Sequence, residues 1–431
     1  MPKLRWGLLL LAAWSLHALA QTAPVPTITL EEALERARAN SVQFQAAVTE
    51  SKVAHEDRVQ ARAALLPSLS YSNQYLYTEG NGTPTGRFIA NNAVHEYISQ
   101  GNPHEAFNLG LGQIAELRRT GAAEALARAK AEIAARGLVA TVVQDYYALL
   151  VAQRKYANAQ TAAAEANDFL ELSRKLEHGG EVAHSDVVKA QLQSNDGDRN
   201  LREAQLGSEK ARLALAVLLF PNFNQDFNVA DDLNATPALP TFADTETLGQ
   251  RHNPALAAAL AAARAASEEV AVARSAHFPT LMFDYWYGID ADHFATRSGR
   301  FRNLGYSAAA TLNIPVWNWG ATESKVKQAE FRRQQARVEL SAAQRGLIAD
   351  LHSYHAEAAS AHDQLETLRA SVDLAAESLR LTTLRYQGGE ATALEVVDAQ
   401  NTLVQARNAS ADGEARYRVA LANLQTLTGT P

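Results

Sequence analysis

Two hydrophobic spacings alternate along the chain, and each predicts a different element. In Leu69, Tyr71, Asn73, Tyr75 and Tyr77 one face of a period-2 pattern is mostly apolar or aromatic, with Ser68, Ser70, Ser72 and Gln74 on the other. Leu281, Phe283, Tyr285, Tyr287 and Ile289 repeat it. Such alternation predicts strands. Return strands are expected at about 106–113 and 304–314, across loops carrying Gly80, Gly82, Pro84 and Gly86 in the first case and Gly299 in the second.

The spacing then lengthens. Leu347, Leu351, Tyr354, Ala358, Ala361, Leu365, Leu368, Val372, Ala375, Leu379, Thr382 and Tyr386 follow one another in steps of four and three. The series 209 residues earlier runs Leu138, Val142, Asp145, Leu149, Ala152, Tyr156, Ala159, Ala163, Ala166, Leu170, Ser173 and Glu177. A sustained 3.5-residue spacing is a coiled-coil seam, and the surrounding alanines favour close helix approach. The proline-free stretches, about 114–177 and 321–386, predict rods of roughly 95 Å, too long for a compact globule. Each ends at a glycine pair, Gly179-Gly180 or Gly388-Gly389, where a left-handed residue would reverse the chain into a second helix, about 182–219 or 391–427.

The chain is therefore one pattern written twice. Arg62 to Leu69 matches Arg274 to Leu281 in placement of Arg, Ala, Pro and Leu, and Gly179-Gly180-Glu181 returns as Gly388-Gly389-Glu390. The copies span 27–220 and 244–429, joined by a proline-containing segment, 221–243. Each opens with a helical stretch (about 30–65 and 244–277) that stops before Pro67 or Pro279. Residues 1–20 read as a signal peptide: Lys3 and Arg5, an apolar run from Trp6 to Leu16, then Ala18-Leu19-Ala20. No later apolar run is long enough for a membrane helix, so any crossing must use strands. Four strands cannot close a barrel, and open edges are not tolerated in hydrocarbon. Two chains would supply eight strands and a barrel plugged by its own side chains, and three would supply twelve and an open bore.

Composition narrows the chemistry. There is no cysteine, which excludes disulfides, thiolate metal sites, a cysteine nucleophile and lipidation on cysteine. The net charge of −7 becomes −9 without Lys3 and Arg5, which argues against nucleic acid as a partner. No nucleophile–base pairing or phosphate loop is apparent; Gly110 and Gly112 are expected within a strand. No enzyme activity, cofactor or metal site is assigned. His352, His355 and His362 are expected as exposed side chains on a rod, and the strand tyrosines with Trp286 as an aromatic girdle.

Several motifs resemble the outer-membrane efflux proteins of the TolC type. They are Leu30-Glu31-Glu32-Ala33-Leu34 with Asn40, the Leu66-Pro67 and Phe278-Pro279 strand starts, Ile314-Pro315-Val316-Trp317-Asn318-Trp319-Gly320, and Arg385-Tyr386 ahead of Gly388-Gly389 and Ala399-Gln400. The resemblance implies a mixed α-helical/β-barrel fold: a homotrimeric twelve-stranded outer-membrane barrel, four strands per chain, continued by a coiled-coil periplasmic tunnel. It implies the channel of a tripartite efflux pump or type I secretion system, with a periplasmic adaptor, an inner-membrane transporter and outer-membrane lipid as partners. Tyr386, Glu395 and Asp398 match its periplasmic entrance and gate, while Ala391 stands where the family has an arginine. Gly179, Gly180, Gly388 and Gly389 would form the tips that meet the adaptor. Asp186 and Lys189 hold the first-copy places of Glu395 and Asp398. Ile114-Ala115-Glu116-Leu117 stands where the second copy has its Pro-Val-Trp turn. A soluble periplasmic coiled-coil adaptor is the alternative reading.

Overall fold

The computed structural model describes residues 26–77, 95–222 and 225–429. The leader and the loop glycines Gly80, Gly82 and Gly86 lie outside the described residues. From Leu30 onward the two copies build matching helices. Helices α1 (Leu30–Asn40) and α2 (Val42–Ala63) correspond to α5 (Phe242–His252) and α6 (Pro254–Ser275). The rods are α3 (Gly112–His178) and α7 (Ala321–Gln387), each 67 residues, or about 100 Å. Each is followed by a 36-residue helix, α4 (His184–Leu219) or α8 (Ala393–Thr428).

The opening helix of each copy is broken where a continuous one was expected. Ser41 and Asn253 are extended, and their side chains accept from the backbone N–H of Phe44 (3.2 Å) and Leu256 (2.9 Å). A side-chain cap replaces the helix's own ladder at that residue, and Pro254 fits the first turn because it has no N–H to leave unpaired.

Four long strands form one antiparallel sheet in the order β2 (Ser68–Tyr77), β3 (His95–Asn108), β5 (Thr280–Ala291), β8 (Leu304–Asn313). Strand β3 corrects the expected 106–113. It starts eleven residues earlier because Gly101, Asn102 and Pro103 hide the alternation, although all three pair with β2. It also ends sooner. Asn108 turns the chain by accepting from the N–H of Gly110 (2.9 Å) and Gly112 (3.4 Å), Leu111 is left-handed at φ +58°, and Gly112 opens α3. Gly110 and Gly112 thus lie in a strand-to-helix turn and not in a strand. Ile114 to Leu117 are already helical, so the first exit is shorter than the second, which runs from Ile314 through Trp319 (φ +56°) and Gly320 (φ +78°).

One sheet face carries Leu69, Tyr71, Tyr75, Tyr77, Phe107, Phe283, Tyr285, Tyr287, Tyr306 and Leu312, all exposed. The register sets Tyr287 opposite Tyr306 and Leu281 opposite Leu312. The other face holds serines, Gln100, Asn102 and His104, whose Nδ1 lies 2.8 Å from Asp284 Oδ1. Alternation puts Trp286 on this polar face with Asp284, a correction to its expected place among the girdle aromatics. Both outer strands, β2 and β8, have a free edge among the described residues.

Beside the sheet the helices stand in the order α2, α3, α6, α7; further away the order is α4, α3, α8, α7. All twelve predicted seam residues of α3 are at least half-buried, and on α7 all but Tyr354 are. The main core crosses the rods midway. The short parallel strands β1 (Thr27–Ile28) and β4 (Asn228–Val229) cover α3 there, and the Tyr146 hydroxyl donates towards the carbonyls of Ile28 (3.2 Å) and Ala230 (2.8 Å). Burial pushes the Tyr146 phenol up from its usual value. Segment 221–243 belts this level through Arg154, which reaches Asp231 (2.8 Å) and the buried Glu414 of α8 (2.7 Å). The three histidines of α7 meet the belt and what it covers. His352 stacks on Phe242, His355 Nε2 lies 3.2 Å from the Pro240 carbonyl, and His362 packs edge-on against Tyr417. They are packing residues there and not merely exposed.

Candidate functional site

The residues singled out in the sequence converge at the helical end far from the sheet. Both tips are built alike. After α7, Gly388 is still right-handed (φ −84°) and Gly389 is left-handed (φ +77°); Glu390 N–H then donates to the Arg385 carbonyl at 2.8 Å. After α3, Gly179 and Gly180 (φ +76°) repeat the turn, with Glu181 N–H donating to the Leu176 carbonyl at 2.9 Å. Only the second glycine of each pair needs the freedom of a missing Cβ.

Beyond the turns the tips differ. Thr392 caps α8 in a reciprocal box: its hydroxyl accepts from Glu395 N–H (3.3 Å), and Glu395 Oε1 accepts from Thr392 N–H (3.1 Å). Helix α4 begins at Ala183 with no side-chain cap. Arg385 lies 3.5 Å from the second Glu395 oxygen. Hydrogen bonds from Thr392, with the Arg385 charge behind them, hold the Glu395 carboxyl below its ordinary value, so it is anionic at neutral pH. Asp398 lies one helical turn on and is exposed. In the first copy Asp186 faces Lys189 at 3.7 Å, so that tip has a self-compensated pair where the second has two acids.

Tyr386 does not share their surface. It is 1% exposed and packs on Phe169 with ring centroids 5.1 Å apart, and its hydroxyl donates to Ser173 Oγ at 3.1 Å. Burial pushes its phenol up. With Leu170, Val187, Ala190, Ala393 and Val396 it forms a small core that joins the two hairpins of one chain. Ala391 packs against this core. The arginine near the acidic tip is Arg385 instead, six residues earlier, which also donates to the Glu390 carbonyl (2.9 Å). Phe169 and the clasp from Arg385 to Glu395 escaped the sequence reading. The adjacent Arg385-Tyr386 was a signal for the second, but nothing local marked Phe169.

The arrangement of a sheet at one end of two helical rods is shared with solved structures. The chain matches the outer membrane efflux protein model over residues 249–430. The second copy thus carries the outer membrane efflux protein domain, and the whole chain resembles efflux proteins of the TolC type. It is similar to TolC of Vibrio cholerae, 24% identical over 93% of this chain and 90% of that relative. It is also similar to the proteases secretion protein PrtF of Dickeya chrysanthemi, 24% identical over 93% and 88%. Its fold matches the crystal structure of VceC from Vibrio cholerae (TM-score 0.80, 19% identity, 93% of this chain and 96% of that one). The open-state MtrE channel of Neisseria gonorrhoeae is similar too (TM-score 0.78, 20% identity, 93% and 88%). Its similarity to these channels over nearly its whole length makes it an outer-membrane channel for efflux or type I secretion that extends into the periplasm, and such channels work with a periplasmic adaptor and an inner-membrane transporter. These similarities favour the channel over the soluble adaptor. Among the described residues no group of three or more potential metal ligands is gathered.

Proposed function

We infer that three copies of this chain close a twelve-stranded barrel, β8 of one pairing with β2 of the next, above a continuous helical tunnel. The carrying observation is the four-stranded sheet with both edges free, because unpaired backbone groups cannot face hydrocarbon. The two copies, 27–220 and 244–429, act as repeating wall units, with 221–243 as the belt. The turns at Gly179-Gly180 and Gly388-Gly389 present the tips to an adaptor. Glu395 and Asp398, three times over, form a negative ring at the periplasmic entrance, which draws cations and sets the resistance to closure. Tyr386 acts as the latch between hairpins. Relatives carry names as different as pyoverdine export outer membrane protein and cation efflux system protein, so cargo choice belongs to the pump that docks below rather than to this wall.

The test is planar-bilayer recording of the native channel and of the double variant Glu395→Gln, Asp398→Asn, with mass in detergent measured for both. Three chains per particle and a marked loss of cation preference in the variant are expected. Unchanged selectivity and divalent block would show that these carboxylates face away from the bore.

A further inference from the structure

Strands β5 and β8 are joined by residues 292–303, at the end of the sheet remote from the helices. Within them lies a small hairpin of β6 (Arg297–Ser298) and β7 (Phe301–Arg302). Ser298 pairs with Phe301 around the two-residue turn Gly299–Arg300, and Gly299 takes the left-handed conformation (φ +61°) that such a turn requires of its first central residue. That geometry sets Arg297 directly opposite Arg302. Directly opposed side chains stand about 5 Å apart, where like charges repel. Arg300 adds a third cation in the turn. All three are exposed, and none forms an ion pair among the described residues. Asp292 is taken by its neighbour His293 at 2.9 Å, and from His293 to Asn303 there is no acidic residue. Among the described residues the repulsion is uncompensated.

The position indicates what compensates it. Exposed Phe294 packs against Tyr97 (centroids 6.5 Å apart), and the exposed Tyr287 and Tyr306 face one another on the sheet just below. Tyrosine-rich belts on membrane barrels mark the water–lipid boundary. Arginines a few residues beyond that belt stand at headgroup depth. Guanidinium groups bind phosphate in a planar, bidentate manner, and paired arginines suit a doubly charged headgroup.

We propose that the Arg297–Arg300–Arg302 hairpin is a binding site for the phosphate groups of an outer-leaflet glycolipid. One phosphate bridges Arg297 and Arg302, with Arg300 beside it, and a trimer carries three such sites around its outer mouth. The site anchors the barrel rim to the leaflet and removes the repulsion the hairpin would otherwise bear.

The full-length channel, reconstituted in phosphatidylcholine nanodiscs, is titrated with bisphosphorylated lipid A, with its dephosphorylated form, and with inorganic phosphate alone. Native mass spectrometry counts bound lipid, and single-channel conductance verifies insertion independently. The bisphosphorylated form should bind about tenfold or more tightly than the dephosphorylated one, and Arg297→Gln, Arg300→Gln, Arg302→Gln together should remove that preference. Arg300→Gln alone, in the turn and outside the strand pairing, should weaken binding several-fold with conductance unchanged. Equal binding of the two lipid forms, or full binding by the triple variant, overturns the proposal. Inorganic phosphate binding as tightly as the lipid would assign the site to a soluble anion and overturn it equally.

Discussion

Along α3 the residues Val142, Val143, Tyr146, Tyr147, Leu149 and Leu150 are all buried, whereas α7, of the same length, leaves Phe331, Val338, Leu374, Leu381 and Leu384 exposed. The difference is one of position. Helix α3 stands between neighbours on both sides in each half of the rod and is crossed by β1 and β4, while α7 stands at the edge of the row in both halves. Two copies of one pattern have thus diverged into a core helix and a border helix. The apolar residues retained on the border are those a neighbouring chain would cover, since exposed apolar patches mark contact surfaces.

The sharpest way to break this comparison is to truncate one leucine in each rod. Leu149→Ala should destabilise the chain by about 2–5 kcal/mol and lower the melting temperature in detergent, because a buried cavity is left. Leu374→Ala should cost the single chain less than about 0.5 kcal/mol, yet lower the denaturant concentration at which trimers dissociate. Equal effects on both readouts would mean that the two helices play the same part.

A second contrast lies beside the sheet. Glu124 of α3, 2% exposed, is held by His55 (2.9 Å), Arg58 (3.0 Å) and Arg128. Helices α6 and α7 are joined by the more open pairs Arg274–Glu330 and Arg332–Glu269, both 2.5 Å. Glu124→Gln should cost about 1–3 kcal/mol, below the usual figure for a broken buried pair because its cations are half in solvent; Glu330→Gln should cost under about 1 kcal/mol. Hydrogen bonds from His55 and Arg58 hold the Glu124 carboxyl below its ordinary 4.5. Its contribution is therefore present above that value and lost as pH falls through the depressed one. Melting curves of native and Glu124→Gln protein, well separated at pH 7, should converge in acid.

The smallest expected effect separates the two tips. Tyr386→Phe removes the bond to Ser173 and should cost about 0.5–1.5 kcal/mol, read as faster amide exchange around both glycine turns and more frequent opening in bilayers. At the place of Tyr386 the first copy has Glu177, bound to exposed His184 at 2.7 Å. Glu177→Gln should cost only a few tenths of a kcal/mol and leave gating unchanged.

The rods, seams and glycine turns were legible because each depends on a period or residue type that no distant contact can override. Leu347 to Tyr386 predicted its own burial within one residue. The limits of β3 were not legible: Gly101 and Pro103 carry no face information, and only pairing with β2 and β5 makes them strand. Helix breaks at Ser41 and Asn253 were written as caps but were masked by continuous helical composition on either side. At the tip, Glu395 and Asp398 could be placed on one helix turn from spacing alone. The partners that bury Tyr386 could not, since Phe169 and Ser173 lie more than 200 residues away.

The midway belt also gives the rods a fulcrum. From Tyr146, fixed to Ile28 and Ala230, to the turn at Gly179 is about 50 Å of unbroken helix. A rigid lever of that length, turned by 5° at its pivot, carries its far end through about 4 Å, roughly one side chain's width. The entrance can therefore widen appreciably while Tyr146 stays in place and Arg154, about 12 Å along the helix, moves by only about 1 Å. A docking partner needs to supply torque at the tips and no rearrangement at the belt.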